Sequence, residues 1–275
     1  MIQITAADVN KLRKATGAGM MDCKKALQEA DGNFEKAVEI IRKKGQAVAN
    51  KRADREASEG VVLAKVGSGA TLGAMIVLNC ETDFVAKNQD FIAFAGKILD
   101  KALESNSESL EDLKQVQVDG KAIADMVVEQ IGIIGEKIDL AYYEKIDAAQ
   151  VVSYIHPGNK LATLVGFNKK TTEQVAKDVA MQVAAMAPIA VDKDDVPTDV
   201  VEKEREIGRD QALREGKPEN IVDKIAEGKL AKFFKESTLL NQEFTKDSKK
   251  SIRQYLQEND KELTVTGFLR YTLNV

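Results

Sequence analysis

The chain has 275 residues but only one histidine, His156, two cysteines, Cys23 and Cys80, and no tryptophan. Each scarcity closes off a class of function. One histidine cannot supply the paired imidazoles of most catalytic zinc centres, and no CxxC, HExxH or GxxxxGK[ST] pattern occurs. Two cysteines do not make a disulfide framework, and both sit among apolar neighbours as small buried fillers. A net charge of −4 argues against general affinity for nucleic acid. No apolar run approaches the ~20 residues of a membrane span. The start, Met1-Ile2-Gln3-Ile4-Thr5, lacks the basic and apolar regions of a secretory leader. A reducing cytoplasm is the expected setting.

Neither a cofactor nor a metal is expected. Gly67-Ser68-Gly69-Ala70-Thr71-Leu72-Gly73 misses the GxGxxG spacing and runs into a strand, whereas a phosphate cradle needs a helix N-terminus. It reads as a hairpin turn. Cys80, Glu81 and Asp83 lack a fourth ligand and mix soft with hard donors.

What is present is a hydrophobic content of 44%, enough for the cores of two domains or more. The most informative point is Thr82-Asp83-Phe84-Val85, where a strand (Gly73 to Cys80) gives way to a helix. That helix carries Phe91, Ala95, Ile98 and Ala102 at helical spacing. Thr82 suits an N-cap and Asp83 the positive end of the helix dipole. Phe84 has two readings. Phe84, Phe91 and Ile98 are seven apart, so it could open the buried stripe. Alternatively it faces a partner.

An internal repeat bears on that choice. The segment from Val61 recurs 90 residues later: Val61-Val62 aligns with Val151-Val152, Thr82 with Thr172, and Val85-Ala86-Lys87 with Val175-Ala176-Lys177. Both copies read strand, glycine-containing turn, strand, helix, which suggests two subdomains of one design. Phe91 and Ile98 align with Met181 and Pro188, which remain apolar. Phe84 aligns with Gln174, so its position is not obligatorily buried. An exposed Phe forgoes about 1.5–3 kcal/mol of burial and invites a partner.

The rest of the chain divides by composition. Residues 1–46 read as three short helices, with Thr5 and Asp8 as a capping pair, Asn33 capping the third helix and Gly45 closing it. Residues 47–59 are a charged, solvated helical linker. Residues 60–147 form the first core subdomain, with a helix at Lys121 to Ile131 and a third strand at Ile138 to Ile146. Residues 148–191 and 217–275 form the second, completed by a strand at Thr264 to Leu273. Residues 192–216 are a charged insertion in which Val200 and Ile207, seven apart, mark a thin seam that suits a projecting helical hairpin. Ile221 to Phe234 returns as an amphipathic helix. The fold class is α+β.

Two separated motifs coincide with a known family. One is Leu12-Arg13 with Thr16-Gly17-Ala18-Gly19-Met20-Met21-Asp22-Cys23-Lys24-Lys25-Ala26-Leu27. The other is Thr82-Asp83-Phe84-Val85-Ala86-Lys87-Asn88. Ser153-Tyr154-Ile155-His156-Pro157-Gly158 and the stretch from Lys217-Pro218-Glu219 to Leu230 add to them. Over nearly its whole length the chain resembles elongation factor Ts, the bacterial exchange factor for the GTPase elongation factor Tu. The resemblance implies a ubiquitin-associated-type three-helix module docking on the GTPase through Leu12, Arg13, Met20 and Met21. It implies that Thr82, Asp83, Phe84 and Val85 reach the magnesium and phosphate region. It also implies that His156 and Gly158, in the second subdomain, face another domain of the partner. Core packing for the methionines and a satisfied turn histidine for His156 remain the plain alternatives. Some family members continue into a further C-terminal helical module, which this sequence does not show. Two competing classes stand beside this one: an adaptor without exchange activity, and a metal-dependent enzyme, disfavoured by the single histidine.

Overall fold

The computed structural model describes residues 4–273. The first unit is a three-helix module. Helix α1 (Ala6–Thr16) starts in a capping box: Thr5 accepts from the Asp8 amide while Asp8 accepts from the Thr5 amide. Gly17, at φ +68°, ends it in the left-handed conformation that glycine reaches without strain. Helix α2 (Met20–Glu29) and helix α3 (Phe34–Arg52), the latter capped by Asn33, close around Val9, Leu12, Cys23, Leu27 and Ala37.

The first half of the core follows. It contains β1 (Glu59–Val66), β2 (Leu72–Cys80), the one-turn α4 (Asp83–Ala86), α5 (Gln89–Glu104), α6 (Leu110–Gln115), a small hairpin of β3 (Gln117–Val118) and β4 (Lys121–Ala122), α7 (Ile123–Ile134) and β5 (Ile138–Asp147). The second half contains β6 (Gln150–Ile155), β7 (Leu161–Phe167), α8 (Glu173–Met186), α9 (Thr198–Arg214), α10 (Glu219–Ser237), β8 (Glu243–Phe244), β9 (Asp247–Ser251), α11 (Ile252–Asn259) and β10 (Val265–Thr272).

The two main sheets share one topology. In each, a hairpin is followed by helices, and a later strand returns antiparallel beside the second strand, giving the orders β1-β2-β5 and β6-β7-β10. The capping is repeated too: Thr82 accepts from the Val85 amide and Thr172 from the Val175 amide. Asp83–Lys87 and Glu173–Lys177 form matching ion pairs one turn apart. The architecture is α+β, as the sequence implied.

Strand β2 is buried along nearly its whole length, because both faces of its sheet are covered. Alternate residues go to opposite sides. Val61, Ile76 and Leu78 pack under Phe91, Ile98 and other residues of the flanking helices. Val62, Met75 and Val77 meet Val151, Ala162 and Leu164 of the second sheet. Beyond that sheet, Val165 and Phe167 pack with residues of α8 and α11. The order is therefore helices, sheet, sheet, helices.

Five sequence expectations change here. Gly45 does not close the third helix; α3 runs through it to Arg52. Here α3 crosses α7, and the glycine the close approach requires is Gly132, where a Cβ would lie 2.6 Å from Gly45 Cα. The helix after Thr82 is two helices, because Asn88 caps a fresh one by accepting from the Asp90 amide at 2.8 Å. Phe84 is thereby off the buried stripe that Phe91 begins. Met181, aligned with Phe91, is 39% exposed rather than core. The helical hairpin is built from α9 and α10, so residues 192–216 hold only one arm and the turn. Its seam is not Val200 and Ile207, since Ile207 is exposed. Gly208 and Ala212 form it instead, and a Cβ on Gly208 would lie 3.2 Å from Ala226 Cα.

Candidate functional site

Phe84 is 84% exposed, the most exposed large hydrophobic side chain among the described residues. It sits on α4, a single turn projecting where β2 ends. Its neighbours anchor the turn. Ala86 is buried, and Val85 is half-buried against the first core. Thr82 is half-buried and held from outside its own segment. Its N–H donates to Glu136 Oε2 at 3.1 Å, and its Oγ–H to Glu136 Oε1 at 2.7 Å. Asp83 is partly exposed and accepts from Lys87 Nζ at 2.6 Å. The Lys87 hydrogen bond holds the Asp83 carboxyl below the usual aspartate range, and the nearby Lys160 charge lowers it further. Asp83 is therefore ionised at neutral pH.

Cys80, Glu81 and Asp83 point to different partners rather than to one centre. Cys80 is buried, and its thiol donates to Thr82 O at 3.2 Å. Burial, with the Glu136 charge, pushes the thiol up to about 12. Glu81 accepts from Arg52 Nη1 at 2.8 Å and from the Lys137 amide at 2.6 Å.

The second subdomain contributes the β6–β7 turn. His156 and Gly158 are both exposed there, and Gly158 has φ +92°, which favours glycine. His156 Nδ1 lies 3.0 Å from Tyr154 Oη. The turn is tied to the first sheet: the Val62 amide donates to Asn159 O at 2.7 Å, and Lys160 pairs with Glu59 at 3.0 Å. A groove of about 480 Å³ runs between the two turns, with Asp83, Lys87 and Ile92 on one side and His156, Gly158 and Lys160 on the other. The structure thus brings Asp83, His156 and Gly158 to one groove.

The N-terminal residues lie elsewhere, around the turn between α1 and α2. Met20 and Met21 are 58% and 63% exposed, so neither is core. Arg13 is also exposed. Leu12 is a correction: it is fully buried in the three-helix core, where it anchors α1, and it has no surface to offer a partner.

Sequence reasoning missed Arg52, Glu136 and Lys137. An acid and a lysine after a glycine between a helix and a strand look like ordinary surface charge. No local spacing signals that they bond to a segment more than 50 positions away.

These features define a class of chain: an α+β core of two like-built sheets, carrying a helical head and a helical hairpin, with Phe84, Met20 and Met21 exposed at the starts of helices. A family model described as Elongation factor TS matches residues 81–275. Elongation factor Ts of Porphyromonas gingivalis is 53% identical over 272 residues, covering 98% of each chain. Elongation factor Ts of Christiangramia forsetii is 51% identical over 275 residues, covering 99% of this chain and 100% of that one. That of Azobacteroides pseudotrichonymphae is 50% identical over 273 residues, covering 99% of each. The chain belongs to the elongation factor Ts family.

Proposed function

We propose that this chain is a guanine-nucleotide exchange factor that binds elongation factor Tu carrying GDP and promotes GDP release during translation elongation, in the cytoplasm. It acts by differential binding, with no covalent chemistry. The exposure of Phe84 on a braced turn carries this reading. A ring that forgoes about 1.5–3 kcal/mol of burial in the free protein is available to spend that burial on a partner.

The reasoning is one of linkage. A factor that binds the empty GTPase more tightly than the loaded one lowers nucleotide affinity by the same factor. Shifting retention from nanomolar to micromolar requires about 4.1 kcal/mol of coupling, within reach of a few well-buried anchors. In this reading Phe84 wedges between partner elements beside the magnesium and phosphate site. Asp83, ionised and oriented by Lys87, competes with the phosphates electrostatically. Thr82 and Val85 hold the pair in place. Arg13, Met20 and Met21 on the three-helix module (1–46) grip the GTPase. His156 and Gly158 reach another domain of it from the second subdomain (148–191 and 217–275), while 47–59, whose first residues complete α3, joins the module to the first subdomain (60–147). The hairpin of α9 and α10, whose first arm lies within the charged segment 192–216, projects beside them.

The test is release of a fluorescent GDP analogue from elongation factor Tu, followed by stopped flow. The wild-type chain should accelerate release, and Phe84→Ala should lose at least tenfold of that acceleration while melting at the same temperature. Unchanged stimulation by Phe84→Ala would remove the wedge role. An adaptor, by contrast, would bind the GTPase and leave its GDP off-rate untouched.

A further inference from the structure

The main-chain ladder between β2 and β5 stops at the pair Cys80 and Ile138. Two carboxylates continue it. Glu81, next along one strand, accepts from the Lys137 amide at 2.6 Å. Glu136, just before the other strand, accepts from the Thr82 amide at 3.1 Å. Each acid reaches across to a backbone N–H on the opposite segment, so the two chain segments are cross-latched. Glu136 also accepts from the Thr82 hydroxyl at 2.7 Å, which engages both donors of that residue at once. Thr82 is the N-cap of α4, whose second residue is Phe84.

Alone, α4 is weakly determined. It is one turn long, below the length at which a helix holds itself, and its own cap bond is long, at 3.4 Å from the Val85 amide to Thr82 Oγ1. Charge-assisted bonds are shorter and stronger than neutral ones. The bidentate grip of Glu136 therefore outweighs the local cap in setting the direction of the turn. The latch is itself secured: Arg52, the last residue of α3, donates to Glu81. Lys137 Nζ donates to Ala53 O at 2.8 Å and Arg55 O at 2.9 Å.

We infer that Glu136 is a positioning residue for exchange: its carboxylate fixes the Thr82 cap and thereby the direction in which Asp83 and Phe84 are presented. This rests on the exchange reading above. Glu136 acts through Phe84, not on the GTPase.

Three variants of the full chain test it: Glu136→Ala, Glu136→Gln and Glu136→Ala combined with Phe84→Ala. Two readouts need no partner: hydrogen exchange at the Thr82 amide, and the spectrum of a fluorine-labelled Phe84. Glu136→Ala should raise Thr82 amide exchange about tenfold or more and alter the ring signal. Glu136→Gln, which keeps one carbonyl acceptor, should restore part of both. In the GDP-release assay Glu136→Ala should cut the maximal stimulated rate about tenfold, the effect of losing a charge-assisted hydrogen bond. In the Phe84→Ala background the same change should cost little further. An equal loss in both backgrounds would show that Glu136 works independently of Phe84 and would overturn the inference. So would unchanged Thr82 protection in Glu136→Ala. If the wild-type chain itself fails to speed GDP release, the exchange reading falls. The latch is then judged in the free chain, where lost protection supports it and unchanged protection overturns it.

Discussion

Gly45 and Gly132 meet where α3 crosses α7, and the contact is unequal. A Cβ added to Gly132 would lie 2.6 Å from Gly45 Cα, whereas one added to Gly45 would lie no nearer than 3.6 Å from Val128 O. Only the first is a clash with backbone. Gly132→Ala should therefore destabilise the protein by about 1–3 kcal/mol, the cost of overpacking. Gly45→Ala should be neutral or stabilising by up to about 1 kcal/mol, because alanine favours a helix interior. Paired urea denaturation curves measure both, and equal effects would contradict the geometry.

Lys87 orients Asp83 without supporting the fold. Both side chains are largely exposed, and such pairs contribute about 0–1 kcal/mol. Lys87→Ala should leave thermal stability nearly unchanged. It should also let the Asp83 carboxyl rise toward the ordinary aspartate range, since the Lys87 hydrogen bond is the largest influence lowering it. A carbon-detected NMR titration of Asp83 reads this directly, and an unmoved titration would show that another group sets it.

Met20 and Met21 separate binding from stability. Both are exposed at the start of α2, so Met20→Ser and Met21→Ser should change stability by no more than about 0.5 kcal/mol. If they are anchors, each should weaken binding to nucleotide-free elongation factor Tu by more than about 1 kcal/mol. Calorimetric titration gives the affinity. Wild-type affinity in both variants would move the grip away from this module.

Asp178 should make the second core sensitive to acid. Burial pushes its carboxyl up, but hydrogen bonds from Lys246, Tyr255 and Gln174 outweigh that and leave it below the usual aspartate range. The unfolded chain, with an ordinary value of about 3.9, then binds more protons in acid. This contribution is complete above pH ~4 and is lost as pH falls through the lowered folded value. Asp178→Asn should cost about 1–3 kcal/mol at pH 7 and flatten the decline in stability below pH ~4. Melting temperatures from pH 7 to pH 2 test it, and parallel profiles for the two proteins would exclude Asp178 as the source.

Much of this fold was legible because it follows from local patterning. Strands β1, β2, β6 and β7 read as apolar runs between glycine-containing turns, and the repeat pairing Thr82 with Thr172 anticipated two sheets of one topology. The stripe of Phe91, Ala95, Ile98 and Ala102 is buried as its spacing required. The failures share a cause. Asn88 caps α5, but the seven-residue interval from Phe84 to Phe91 reads as one continuous helix and hides the break before it. Gly45 looked like a stop signal, yet the close approach of α7 overrode local preference. The hairpin seam uses Gly208 and Ala212, which carry too little apolar surface to register as a period. The bonds of Glu136 and Glu81 join segments distant in sequence, so only the folded arrangement reveals them. Of the candidate site residues, the exposure of Phe84, Met20 and Met21 agrees with their expected accessibility, and the burial of Leu12 does not.

Strand β10 is the last element among the described residues, yet it lies directly against β7, and Leu273 joins the apolar layer between the sheets. On the ribosome the second sheet must wait one strand short until Val265–Thr272 has been polymerised. Until then β7 keeps an open, sticky margin, and any pause in synthesis before that point leaves a nascent chain whose first sheet can already be folded while its second is still looking for a mate.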